Sequence, residues 1–172
     1  HGQCLAFEPP RFGGGGADHP GTVGGMVAAG LAGPARASAG AVRDHVLGAT
    51  VLNGRGELLT FGGQVMKNVA GYDVSRLMAG SMGVLGVLCE VSLKVLPRAV
   101  AQTTIEFETD EVQALAWLGA RRAQPLPVTA SSWHQGRLRV RLAGARAAVH
   151  SAAQELGGHA IDANTAAAWW RA

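Results

Sequence analysis

The chain has 172 residues, 48% apolar and 16% charged, enough to bury a sizeable core without a disulfide or metal staple. Its net charge of +3 comes mainly from scattered arginines, and the one dense group, Arg137, Arg139 and Arg141, alternates with Leu138, Val140 and Leu142. That spacing is the solvated face of a strand, and with no aromatic residues interleaved it speaks against a nucleic-acid partner.

Taken in chain order, the first hundred residues are rich in glycine and turns, and most of the 25 glycines precede Gly86. No signal peptide opens the sequence, and the absence of an initiator Met leads us to expect residues upstream of His1. Thr22–Leu31 is apolar but too short and too glycine-rich to span a bilayer. A helix is expected to begin near Gly25. Ala49–Leu52 and Glu57–Phe61 flank Asn53-Gly54-Arg55-Gly56, the pattern of a hairpin. Asp73 is a plausible N-cap for a short helix over Asp73–Ala79 that Gly80 ends. Val87–Leu96 reads as a strand with Val87, Cys89, Val91, Leu93 and Val95 on one face. Strands without long intervening helices predict an α+β domain with an antiparallel sheet.

The texture changes between Pro97 and Gln102. Thr103–Glu108 predicts a half-buried strand, with Thr103, Ile105 and Phe107 opposed to Thr104, Glu106 and Glu108. Asp110 N-caps a helix whose face is Val112, Leu115, Ala116 and Gly119, and Pro125 and Pro127 forbid its continuation. Val128–Trp133 and Arg137–Leu142 flank His134-Gln135-Gly136 as a second hairpin. A further helix aligns Val149, Ala152, Ala153 and Leu156 before Gly157-Gly158, and His159–Asp162 makes a last short strand. The order β-α-β-β-α-β is the ferredoxin-like arrangement. Thr165–Ala172 looks helical and stops abruptly.

Two glycine constellations bear on chemistry. Gly21-Thr22-Val23-Gly24-Gly25-Met26-Val27-Ala28-Ala29-Gly30, preceded by Gly13–Gly16, lets backbone N–H groups converge on a pyrophosphate, with a helix N-terminus behind them. It reads equally well as a flexible loop before a closely packed small-residue helix. It lacks the Gly-Lys-Ser/Thr of a Walker loop and the strand and acidic residue of a Rossmann fingerprint. Gly80-Ser81-Met82-Gly83-Val84-Leu85-Gly86-Val87 permits close approach to a flat ligand, or is a tight helix-to-strand turn. Cys4 and Cys89 have neither CxxC nor metal-ligand spacing, as in reduced cytoplasmic thiols. The histidines, His1, His19, His45, His134, His150 and His159, show no paired metal-binding spacing, and the sequence has no nucleophile elbow or carboxylate pair.

The ordered series is more specific than its parts. Gly-Thr-Val-Gly-Gly is followed by Arg43-Asp44-His45-Val46-Leu47-Gly48 and Asn53-Gly54-Arg55-Gly56-Glu57. Lys67-Asn68-Val69-Ala70-Gly71-Tyr72-Asp73, Gly80–Val87 and Val91-Ser92-Leu93-Lys94-Val95-Leu96-Pro97 complete it. This series resembles the vanillyl-alcohol oxidase family of PCMH-type FAD-binding flavoproteins, over roughly the first 97 residues. Phe7-Glu8-Pro9-Pro10, Gly33-Pro34-Ala35-Arg36-Ala37-Ser38-Ala39-Gly40 and Gly62–Asn68 are similar in wording to the FAD-binding subunits of bacterial glycolate oxidases. Trp169-Trp170-Arg171 resembles a tryptophan-rich element of their cap region.

The resemblance implies the second half of a PCMH-type FAD-binding domain over residues 1–99, an antiparallel sheet with short helices. A ferredoxin-like α+β cap portion over 100–172, truncated at its C-terminus, would follow. It implies FAD as cofactor and a role in oxidising glycolate, a small 2-hydroxy acid, within a heteromeric complex. Its partners there would be a second flavin subunit and an iron–sulfur subunit, in the cytoplasm or peripheral to the inner membrane through those partners. Gly21, Thr22, Val23, Gly24 and Gly25 would approach the pyrophosphate and ribose. Gly30, Gly33 and the Ser38–Gly40 loop would lie near the flavin ring, and Gly80, Ser81, Gly83, Leu85, Gly86 and Val87 would contact the flavin or adenine side. Asp44 either frames the site or caps a turn; Lys67 and Asn68 either reach the cofactor or lie on the surface. Covalent flavin attachment through His19 rests on its position alone.

No residue is assigned a catalytic role. Gly-Ser-Met-Gly stands at Gly80–Gly83 where catalytic relatives carry Gly-Ser-Glu-Gly. The His-x-His cluster of relatives that oxidise 2-hydroxy acids is missing, as is the family's N-terminal strand-turn-helix. A self-sufficient D-lactate or 2-hydroxy-acid dehydrogenase and a non-catalytic interaction subunit that keeps the fold are the competing expectations.

Overall fold

The computed structural model describes residues 1–10, 21–63 and 71–171. In chain order its elements are β1 (Gln3–Cys4), α1 (Val23–Ala29), α2 (Arg36–Ala39), a 3₁₀ turn (Val42–His45), β2 (Val46–Leu52), β3 (Leu58–Gly62), α3 (Val74–Leu77), β4 (Val87–Leu93) and β5 (Leu96–Pro97). They continue with β6 (Ala101–Glu108), α4 (Glu111–Arg121), β7 (Val128–His134), β8 (Arg137–Gly144), α5 (Arg146–Leu156), β9 (His159–Ile161) and α6 (Ala163–Arg171). Two compact units result: His1–Gly33 with Gly40–Pro97, and Pro34–Ala39 with Arg98–Ala172.

The first unit holds an antiparallel three-stranded sheet in the order β3-β2-β4, and a separate β1-β5 ribbon. Asn53 closes the β2–β3 hairpin by accepting the amides of Arg55 and Glu57 at 2.9 and 3.0 Å on Oδ1. Val27, Phe7, Val42, Val46 and Ala79 form one buried cluster, and Ala49, Val51 and Met78 another, with Leu88 and Val91 packed against both. Strand β4 departs from the expected alternation. The pairing slips between Thr50↔Glu90 and Val51↔Leu88, so Cys89 has no partner across the strand and the face inverts there. Leu88, Val91 and Leu93 point to the core, whereas Val87 and Cys89 are exposed.

The second unit is an antiparallel sheet ordered β7-β8-β6-β9, the ferredoxin-like order, with α2 against β7. Ile105, Leu138, Val140 and Leu142 pack under Val149 and Ala152 of α5 and Ala114 of α4. Asp110 caps α4 as expected, its Oδ1 accepting the Gln113 amide at 2.8 Å. The buried face of α4, however, is Ala114, Trp117 and Leu118, while Val112 and Leu115 are 77% and 65% exposed. Trp117 decides the rotation: it lies 5.0 Å from Phe107 of β6, and Arg121 covers it at 4.1 Å. One large aromatic buries more apolar area than a Val and a small-residue pair.

The arginine strand and the β6 strand opposite it are covered on the face expected to meet solvent. Helix α6 lies against β6, and its tryptophans stack on β8, with Arg139 4.0 Å from the Trp169 ring and Arg141 5.1 Å from Trp170. Glu106 pairs with Arg139 at 2.6 Å and Arg137 at 3.2 Å, and Thr104 accepts the Trp170 indole N–H at 2.9 Å. Thr104 and Arg141 are consequently buried. The solvated arginine face and the half-buried β6 are therefore both corrected: an amphipathic guanidinium stacks on an indole while its edge keeps a carboxylate.

Two outcomes follow for α6. Trp170→Phe removes the indole donor to the buried Thr104 hydroxyl and is expected to cost about 1–3 kcal/mol in urea unfolding; adding Thr104→Val should recover part of it. Asp162 caps α6, its Oδ1 accepting the amides of Asn164 and Thr165 at 3.0 Å each. Hydrogen bonds from Thr165 hold its carboxyl below the ordinary value. A depressed folded-state pKa gives stability that is present above the unfolded value of about 3.9 and lost as pH falls through the folded one. Helix α6 should therefore loosen at that acid step, read by tryptophan fluorescence, and Asp162→Ala should abolish it.

Candidate functional site

The two glycine motifs meet in the first unit. Thr22 caps α1, its Oγ1 accepting the Gly25 amide at 3.0 Å, which leaves the Val23 and Gly24 amides without intrahelical partners, as at any helix start. Gly30 ends α1 in the left-handed region at φ 68°. There the second motif docks: the Gly80 amide donates to Val27 O at 3.0 Å and the Met82 amide to Ala28 O at 2.9 Å. A Cβ at Gly30 would stand 2.9 Å from the Gly80 Cα, so the contact requires glycine on both conformational and steric grounds. The chain segment 80–82 thus satisfies carbonyls that a helix C-terminus leaves open.

Beyond this seam the second motif is a chain of tight turns, with Val84 N donating to Ser81 O at 3.0 Å and Gly86 N to Gly83 O at 3.3 Å. Met82, at φ 52°, is 73% exposed, and Val84 is 82% exposed. Leu85 and Val87 are exposed as well. The Ser81 hydroxyl is buried and has no hydrogen-bond partner among the described residues. The α1 amides and the 80–83 turn sit at opposite ends of a helix about 10 Å long, a spacing suited to an extended ligand rather than a single phosphate.

Other expected positions take structural duties. Asp44 Oδ2 accepts the Ala41 amide at 2.8 Å, and a Cβ on Gly40 would collide with that oxygen at 2.7 Å. Gly33 lies against the Glu8 backbone, whose amide donates to Ala32 O at 3.0 Å. Ser38 belongs to helix α2 rather than to a loop, and that helix is part of the second unit. His45 is buried, 5.5 Å from the Phe7 ring. His19, Lys67 and Asn68 fall outside the described residues.

One feature of the first unit escaped the sequence reading. The sheet face away from the core holds a cleft of about 240 Å³ lined by Gly48, Thr50, Thr60, Gly62, Glu90 and Ser92 among others. Thr50 and Thr60 hydroxyls lie 3.3 Å apart across it. Its signal in the sequence is slight: Thr50 and Thr60 become neighbours only when β2 and β3 pair, and a polar strand face is indistinguishable from a solvent-facing one.

Residues 11–77 match the FAD binding domain family. The chain is 47% identical over 160 residues to glycolate oxidase subunit GlcE of Escherichia coli, covering 93% of this chain and 44% of that protein. The matched segment is thus similar to an FAD-binding domain. It is also 34% identical over 95 residues to glycolate oxidase subunit GlcD of Bacillus subtilis, covering 55% of this chain and 20% of that one. A D-lactate dehydrogenase of Anaerostipes hadrus is 39% identical over 92 residues, covering 52% of this chain and 19% of the relative. The fold is that of PCMH-type FAD-binding proteins: alkyldihydroxyacetonephosphate synthase superposes with a TM-score of 0.69 at 17% identity, covering 96% of this chain and 38% of that one. The chain thus spans less than half the length of these relatives.

The family match includes Gly21–Gly33, Gly40 and Asp44 but stops before Gly80. The residues present fit FAD, since the α1 amides, the unpartnered Ser81 hydroxyl and the open space beside Gly80 and Gly83 offer donors and close approach. Among the described residues no group of three or more His, Cys, Asp or Glu could hold a metal ion.

Gly30→Ala is expected to lower stability by about 1–3 kcal/mol, because it forces a positive φ on alanine and parts the seam. Gly24→Ala, whose Cβ would meet Leu88 at an ordinary 3.7 Å, should be neutral or slightly stabilising. Paired thermal melts of the two variants check this.

Proposed function

We propose that the chain is the rear part of the FAD-binding domain (residues 1–99) and the start of a ferredoxin-like cap (100–172) of a glycolate oxidase subunit. The observation that carries this reading is the docking of the Gly80–Val87 motif onto the end of α1, in a chain whose resemblance to subunit GlcE runs through both units. Gly21–Gly25 would hold the cofactor's pyrophosphate and ribose, Gly30, Gly33 and Gly40 would lie beside the flavin ring, and Gly80, Ser81, Gly83, Leu85, Gly86 and Val87 would line its other side. When bound, FAD supplies the two-electron chemistry of 2-hydroxy-acid oxidation. This chain's residues bind and orient it: amides face the phosphates, and Met82, Val84 and Leu85 offer apolar cover. Asp44 would act through the turn it caps.

The partners in this reading are a second flavin subunit and an iron–sulfur subunit, with the complex in the cytoplasm or peripheral to the inner membrane. Among the described residues no helix is long and apolar enough to cross a membrane.

Full-length protein carrying this sequence is expected to purify with FAD. Gly25→Val should lower its flavin content at least tenfold. A side chain there also displaces the Thr22 hydroxyl, 3.0 Å from its Cβ, so Thr22→Ala, which loses the cap without adding bulk, serves as control and should keep most of the flavin. The 172-residue chain alone should bind FAD weakly and support no glycolate-dependent dye reduction. Full-length protein lacking flavin would favour the interaction-subunit reading and overturn this one.

A further inference from the structure

The second unit carries a cleft of about 250 Å³ at the tip of the β7–β8 hairpin, lined by His134, Gln135, Arg137, Arg139 and Trp169. Its walls are cationic and aromatic together. Arg139 is nearly buried and fixed on two sides, by Glu106 Oε2 at its Nε and by the Trp169 ring beneath its guanidinium. His134 lies 5.7 Å from the same ring, tilted by 45°. Arg137 is 52% exposed and donates one N–H to Glu106 Oε1. The single carboxylate therefore binds two guanidiniums through one contact each, and most of their ten N–H donors have no partner among the described residues. Glu108 stands across the strand pair from Arg137 without forming an ion pair with it.

We propose that this cleft binds a small oxyanion, a carboxylate or phosphate group, between the guanidiniums of Arg137 and Arg139. An immobilised guanidinium loses little freedom on binding, and its planar fork matches a carboxylate or phosphate edge. The hairpin supports the geometry: Gln135 and Gly136 both have positive φ, 48° and 78°, a tight two-residue turn that brings Gln135 into the cleft's lining. Ligand pockets for drug-sized molecules run from about 300 to 1,000 Å³, so the volume admits an inorganic anion or a small organic acid rather than a nucleotide. Neither the cofactor loops nor any other part of the first unit enters the argument, so the cleft stands or falls separately from the FAD reading.

The test titrates the 172-residue chain with sodium phosphate and, separately, sodium acetate, following the Trp169 indole N–H resonance by NMR. Sodium chloride at matched ionic strength is the reference. A saturable shift confined to Trp169 and the hairpin amides is expected with at least one oxyanion, and the stronger of the two identifies its class. Arg137→Gln should weaken the response at least fivefold, and Glu108→Gln, which removes an exposed competing charge, should strengthen it. Arg55→Gln removes the same charge in the β2–β3 turn and should change nothing. An equal response to chloride, or equal losses in Arg137→Gln and Arg55→Gln, would overturn the proposal, as would unaltered binding in a folded Arg137→Gln protein.

Discussion

The first unit depends on one backbone contact, the docking of Gly80 and Met82 amides on the carbonyls that close α1. Helix ends normally look to water or to a cap residue for these partners. Here they look to a loop about fifty residues further along the chain, so the position of each glycine motif is set by the other. The requirement is steric at Gly30, where a Cβ would stand 2.9 Å from the Gly80 Cα, and conformational at Gly80, whose φ is 84°. The loop is held by main-chain hydrogen bonds and by glycines at positive φ, Gly83 and Gly86 among them. That frees Met82, Val84 and Leu85 to point outward and to be chosen for what they touch.

The second unit solves a different problem. A ferredoxin-like sheet buries one face under its two long helices and leaves the other to be covered or wetted. Arginine at alternate positions would serve water, but α6 brings two indoles to that face, and the guanidiniums then serve as flat, polar-edged packing material. Glu106 is what makes this tolerable: it neutralises the less exposed cation while sharing itself with the more exposed one. Charge placed between a sheet and a helix in this way gives the helix a fixed rotation as well as an attraction.

Much of this architecture was legible in the residues. The order of the second unit, the Asp73 and Asp110 caps and the Asn53 hairpin each rest on a local signal that needs no distant partner. Most of the failures involve a partner on another element. The face of α4 was set by Phe107 meeting Trp117, the phase of β4 by a bulge opposite β2, and the burial of Arg139 and Arg141 by tryptophans some thirty residues later. At the candidate site, the glycines could be picked out one motif at a time, but no periodicity announces that Gly30 touches Gly80. Only the ordered resemblance joined them. Asp44 shows the limit of such carry-over: its carboxylate is engaged in the turn that holds it.

Helix α2 has a consequence for how the chain is tied together. Because Pro34–Ala39 packs with the second unit, the backbone passes from one unit to the other three times, near residues 33, 39 and 97. A protease nick at the last of these leaves the two pieces held by α2 against β7. During synthesis α2 emerges long before its β7 neighbour, and joining them closes a loop of roughly 90 residues, an entropic cost of about 4 kcal/mol by the logarithmic rule. The second unit is therefore a discontinuous folding unit: cutting the gene at the texture change near Pro97 would produce a sheet without one of its helices.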